Sequence, residues 1–114
     1  MSLATDRAAI KATLDTVDDV TGYEYRPRTP KMGDAWPVMP SLELQDGLVW
    51  RPTWTVVVFL AQDERKASEW MDEHFTALAD ALRGGNTFPD SAEPALIATN
   101  GGDQYVLEIT VRSH

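Results

Sequence analysis

Residues 53–61, Thr-Trp-Thr-Val-Val-Val-Phe-Leu-Ala, form the densest run of β-branched and aromatic positions in the chain. Alternation puts Trp54, Val56, Val58 and Leu60 on one face and Thr53, Thr55, Val57 and Phe59 on the other. Both faces are largely apolar, so the pattern predicts a central strand covered on both sides. The period then changes. Ala67, Trp70, Met71, Phe75, Leu78 and Leu82 recur at helical spacing, with Asp63 placed to cap the start and Gly84-Gly85 to end it. Helix and strand are each about 30 Å long on standard rises, so they can pack along their full length.

The remaining segments arrange themselves around that pair. Residues 2–20 read as a first helix, capped by Ser2 or Thr5, with Ile10, Leu14 and Val17 as a narrow apolar stripe. Asp15, Asp18 and Asp19 crowd its end, the wrong end for negative charge, so the helix is expected to fray near Val17 and leave them in a solvated turn. Tyr23-Glu24-Tyr25-Arg26 alternates as a short strand. Four of the seven prolines fall in residues 27–40, which predicts an extended arm or long edge loop. Ser41-Leu42-Glu43-Leu44-Gln45 and Leu48-Val49-Trp50 flank Asp46-Gly47, a hairpin signal, and Pro52 is expected to bend or break the second arm before the central strand. After the long helix, residues 86–94 read as a surface loop and residues 95–99 as a short apolar run. A turn at residues 100–103 leads to a last strand in which Tyr105, Leu107, Ile109 and Val111 alternate with Val106, Glu108, Thr110 and Arg112. The order is α-β-β-β-β-α-β-β: one α+β domain over residues 1–114, a mostly antiparallel sheet with two helices packed on it.

Composition narrows the function classes. Eighteen acidic against ten basic residues give a formal net charge of −8, which argues against a nucleic-acid grip built on clustered Lys and Arg. The chain has no cysteine, hence no disulfide framework, thiolate nucleophile or Cys-type zinc site. Its start lacks the basic residues and long apolar stretch of a signal peptide, and its longest apolar run is too short to span a membrane, so a cytoplasmic protein is expected.

Chemistry is sparse. Of two histidines, His114 is terminal and expected to be disordered, and His74 borders the apolar stripe of the long helix without the His-x-x-x-His or Glu-x-x-His pairing of helical metal sites. Neither a Gly-x-Ser-x-Gly elbow nor a phosphate-binding glycine loop is present. No catalytic, cofactor-binding or metal-binding residue is assigned, and catalysis is the less favoured class. Interaction is the better candidate. Trp36 and Trp50 lie on irregular segments where tryptophan often carries binding energy, and the Pro-rich arm is locally cationic through Arg26, Arg28 and Lys31.

Thr21-Gly22-Tyr23, Tyr25-Arg26-Pro27, Gly33-Asp34-Ala35-Trp36-Pro37-Val38, Trp54-Thr55-Val56-Val57-Val58, Ala67-x-x-Trp70 and Tyr105-Val106-Leu107-Glu108-Ile109 occur in this order, behind a leading helix. In that order and in those Gly, Trp and Pro positions the chain resembles the tail terminator family of long-tailed (siphovirus-type) bacteriophages, in the small form of phages of actinobacteria. The resemblance covers nearly the full chain. It implies an α+β domain forming a six-membered ring on the head-proximal end of the tail tube, where it stops polymerisation and joins tail to head. It also implies no cofactor and no catalytic residue. The partners implied are further copies of the chain in a homo-hexamer, the major tail tube protein and a head-tail connector or neck protein. DNA would pass through without specific binding, no membrane would be involved, and the location would be the virion, after assembly in the host cytoplasm. An acidic bore would repel the DNA phosphates. The ring contact is expected on the arm, at Arg26, Arg28, Lys31 and Trp36, with Trp50 as a further interface residue. Two other functions fit the same pattern: another connector or tail-completion protein, or a small ligand-binding or enzymatic domain with a pocket between the long helix and the sheet.

Overall fold

The computed structural model describes residues 2–113 apart from Asp46 and Asn86; the expectations placed on the Asp46 end of the turn, on Asn86 and on His114 lie outside the described residues. The chain is an α+β fold in the order α-β-β-β-β-α-β-β. Helix α1 spans Leu3–Leu14, strand β1 Thr21–Gly22, β2 Asp34–Pro37, β3 Ser41–Gln45 and β4 Val49–Phe59. Helix α2 spans Glu64–Gly84, β5 Thr87–Thr99 and β6 Gly102–Ser113. Along the sheet the order is β1-β2-β4-β6-β5, with β3 also paired to β4, and every pairing is antiparallel except β1 with β2.

Strand β4 is the axis of the sheet because both of its ends find partners. Its second half pairs with β6 from Thr53↔Arg112 to Phe59↔Val106, while β2 takes the opposite edge at Ala35↔Val58, Trp36↔Val57 and Pro37↔Val56. Its first half pairs only with β3, from Ser41↔Thr53 to Gln45↔Val49. Trp54, Val56 and Val58 join Leu107, Ile109 and Val111 as one buried surface, and both helices pack on it through Ile10, Leu14, Ala67, Trp70, Leu78 and Leu82. Met71 and Phe75 pack at its margin. Asp63 caps α2 by accepting from the Lys66 N–H at 3.0 Å, and Ser2 caps α1 by accepting from Thr5 N–H at 3.4 Å.

Several local expectations are corrected. Helix α1 stops at Leu14, about a turn short of the fraying expected near Val17, and Asp15 is spent locally. Its carboxylate pairs with Lys11 at 2.8 Å and accepts from the Gly22 N–H at 2.7 Å, tying the helix end to β1. Those two bonds, Lys11 first, hold Asp15 below the usual carboxylate range. Asp19 is not simply solvated either, since it reaches His74 at 3.1 Å. Residues 23–26 form no strand. The second strand arises within the Pro-rich stretch instead, where Asp34–Pro37 is buried throughout. A proline at the end of a short strand costs the ladder little. Pro52 does not interrupt β4, because β6 begins opposite only at Thr53 and leaves that edge without a strand to supply. The expected loop at residues 87–94 is the first half of β5, an edge strand that absorbs Pro89 and Pro94 with a register shift between Pro89 and Ser91.

The two faces of the sheet differ. Opposite the helices, Trp36, Val57 and Val106 form a small second cluster with Tyr23, Val38, Phe59, Ala95 and Ile97 packed around it. Among the described residues no helix lies on this face, so the strand expected to be covered on both sides has helices over one side only. Its cover is the segment between β1 and β2, whose Tyr23, Arg26 and Arg28 lie against it.

Candidate functional site: an open apolar groove and an uncovered hairpin

On the helix-free face, β2, β4, β5 and β6 leave a groove of about 440 Å³. Trp36, Val57, Val106 and Ile97 make its floor and walls, Val38 and Met39 one rim, and Tyr25 and Arg26 the other. Glu108 also lines it, and its carboxylate forms no hydrogen bond or ion pair among the described residues. Arg7 closes one end. Its guanidinium donates to the carbonyl oxygens of Glu24 at 2.8 Å and Pro37 at 2.9 Å, and lies 4.6 Å from the Tyr25 ring and 5.0 Å from that of Trp54. A cation held by two carbonyls and two aromatic rings fixes the arm to α1 and thereby shapes the groove.

The second surface is the hairpin of β3 and the start of β4. Counting along β4 from buried Trp54, Pro52 and Trp50 fall on the helix-side face, opposite Leu42 and Leu44 of β3. Arg51 faces the other way and stands opposite Glu43. The ribbon is therefore amphipathic, yet α1 reaches its apolar side only through Leu3, which borders a shallow depression with Leu42, Leu48, Val49 and Trp50. Trp50 remains 57 % exposed, Leu44 49 % and Leu48 85 %. Gly47 turns the ribbon at φ +71°. A two-stranded hairpin has little stability of its own, so an uncovered apolar side is an unusual surface to leave in water.

A third, polar cluster joins α2 to the turn after α1. His74 is stacked on Trp70 at 4.4 Å between ring centroids, its Nδ1 lies 2.9 Å from the Trp70 carbonyl oxygen and its Nε2 3.1 Å from Asp19. Burial works against the imidazolium, but the Trp70 carbonyl and the Asp19 carboxylate outweigh it and raise the His74 pKa above its ordinary value. Among the described residues no group of three or more His, Cys, Asp or Glu could hold a metal ion, and no helix is long and apolar enough to cross a membrane.

The expected interface residues divide between these surfaces. Arg26 and Trp36 meet at the groove, but Trp36 is 3 % exposed and serves as its wall. Arg28 borders a neighbouring depression beside Phe59 and Thr99, and Lys31 is exposed, with its backbone N–H donating to Asp34. Trp50 stands apart on the hairpin. Arg7, Ile97 and Glu108 are not marked as site residues by the sequence. Glu108 carried a signal, as a carboxylate on the otherwise apolar stretch Val106-Leu107-Glu108-Ile109, whereas nothing in the Thr5-Asp6-Arg7-Ala8 context marks Arg7. Between the long helix and the sheet, where the alternative reading expects a pocket, Trp54, Trp70, Leu78 and Leu82 pack as buried core, and the open groove lies on the other side. Compared with models of known protein families and with curated proteins, the sequence matches none.

Proposed function

We propose that this protein is a structural virion component that forms a ring on the head-proximal end of a phage tail tube, ends the tube's growth and joins the tail to the head. The ordered Gly, Trp and Pro positions that resemble tail terminators suggest the family. The observation that carries the reading is that one chain holds two different uncovered apolar surfaces, the hairpin on the helix side of the sheet and the groove on its opposite face. Non-identical surfaces that satisfy each other between copies generate closed rings when the rotation closes. The partners on this reading are copies of the chain, the tail tube protein below and a connector or neck protein above. The −8 charge suits a ring that DNA traverses without binding, since an acidic bore repels phosphates.

The test is native mass across a concentration series with negative-stain images of the same samples, followed by addition to growing tail tubes. Closed rings and tubes capped at one end are expected. Tubes that grow on unchanged, with no protein on their ends, overturn the reading. A second reading draws on the groove alone: apolar walls with Arg26 and Glu108 at hand are also the makings of a small-ligand site. A compound that raises the melting temperature of the monomer and is displaced by filling the groove through Val57→Trp would favour it.

A further inference from the structure

We infer that the hairpin of β3 and β4 is an arm that seats its apolar side in the open groove of a second copy of this chain, with Trp50 as the anchor. The inference rests on the self-assembling part of the proposed function and names the surfaces that would carry it. Three observations lead to the second copy as occupant.

The first is topology. Leu42, Leu44 and Trp50 lie on the helix-side face of the sheet and the groove lies on the opposite face, so no chain can place its own arm in its own groove without breaking the β3–β4 and β2–β4 pairings. The contact must run between chains, and between unlike surfaces. The second is chemistry. The anchor is a large apolar ring with a single N–H donor, and the groove is an apolar slot bordered by one carboxylate, Glu108, without a partner among the described residues. The third is charge. Arg26 lines the groove and Arg28 the depression beside it, whereas residues 41–53 carry Glu43 and Asp46 against Arg51, a net −1. In a chain of net charge −8, this approach sets the arginines at and beside the groove against a ribbon of negative net charge.

The absence of cysteine from the sequence makes a clean cross-linking test. Leu48→Cys marks the arm and Met39→Cys the groove rim; both side chains are more than four-fifths exposed, at 85 % and 88 %, so the fold should tolerate either. Within one chain the two positions sit about 20 Å apart along the ribbon, too far for a disulfide, so any bond between them joins two molecules. On mild oxidation the double variant should give a ladder of covalent oligomers across a concentration series. A mixture of the two single variants should stop at the dimer. Adding Trp50→Asp to the double variant should cut the cross-link yield by roughly tenfold or more. A double variant that stays monomeric on a non-reducing gel up to its solubility limit overturns the inference. So does a Leu48→Cys variant that dimerises with itself as readily as with Met39→Cys, which would mean arm-to-arm pairing, and so does a Trp50→Asp change without effect. Rings that form with no 48–39 bond sink this contact and leave the ring reading standing. A cross-linked ladder that never caps a tube does the reverse.

Discussion

Arg7 holds Pro37 across thirty residues of sequence: its guanidinium donates to the Pro37 carbonyl oxygen at 2.9 Å, and the same nitrogen reaches the Glu24 carbonyl at 2.8 Å. The first helix and the arm are therefore joined by a single charged group. Replacing Arg7 by Met should lower unfolding stability by about 2 kcal/mol, the usual range for hydrogen bonds to a charged donor. Arg7→Lys should recover only part of this, because an ammonium lacks the planar fork that lies against Tyr25 and Trp54. Urea titration of the three proteins measures both.

Trp36 and Trp50 should behave oppositely. Trp36 is buried against Val57 and Phe59, with its ring 6.3 Å from that of Phe59, so Trp36→Ala should cost about 3–5 kcal/mol of stability. Trp50→Ser should stay within about 0.5 kcal/mol of the parent, since its ring is mostly in water. Calorimetry or denaturant curves on monomeric protein separate them. The same contrast makes Trp50 the cleaner probe of assembly, as loss of assembly in a Trp36 variant would be mixed with loss of fold.

The sequence revealed one level of this architecture and hid the next. The β4–α2 pair, its capping Asp63 and the β3–β4 hairpin follow from periodicity and turn chemistry that are local. The element order α-β-β-β-β-α-β-β also emerges, but its members differ: the runs at 48–50 and 53–61 fuse into β4, and Asp34–Pro37 supplies the strand this leaves short. Tyr23-Glu24-Tyr25-Arg26 has strand periodicity but leaves β2 after the Tyr23 N–H donates to the Ala35 carbonyl oxygen, while Asp34–Pro37, hidden among prolines, takes the edge of β4. Pairing partners decide strands, and a single segment does not disclose them. The groove was invisible for a related reason. Arg7, Trp36, Ile97 and Glu108 come from four separate elements, and only the sheet brings them to one place.

His74 makes stability depend on pH. Its folded pKa lies above the ordinary value, so its contribution is complete below the unfolded imidazole pKa and is lost as pH rises through the folded pKa. The parent's melting temperature should fall across that window more than the melting temperature of His74→Gln does. Asp19→Asn should remove part of the difference and the Trp70 carbonyl contact should retain the rest. Because Asp19 is 76 % exposed, the Asp19 share should stay below about 1 kcal/mol. Melting curves from mildly acidic to mildly basic buffer settle it.

Gly22 and Gly47 should respond differently to alanine. A Cβ at Gly22 would stand 2.5 Å from the Lys11 carbonyl oxygen and 2.9 Å from the Leu14 Cβ, where α1 passes directly over β1. Gly22→Ala should therefore destabilise by about 2 kcal/mol or more as helix and strand are pushed apart. At Gly47 no atom lies within 4 Å, and only the positive φ of +71° opposes a side chain, at about 1–2 kcal/mol. Unfolding curves for the two variants give the comparison.

Strand β5 has a consequence of a different kind. It is thirteen residues long, stands at the outer edge of the sheet and exposes Phe88 and Leu96, which is the profile of a template on which further strands stack without limit. Pro89 and Pro94 each delete an N–H from that edge, and the kink beside Pro89 bends it. Fibre growth along this border is thereby discouraged by the covalent structure of the chain itself. A variant with both prolines replaced by valine would keep its monomer fold and lose that protection. Its expected signature is time-dependent thioflavin fluorescence at concentrations where the parent stays clear.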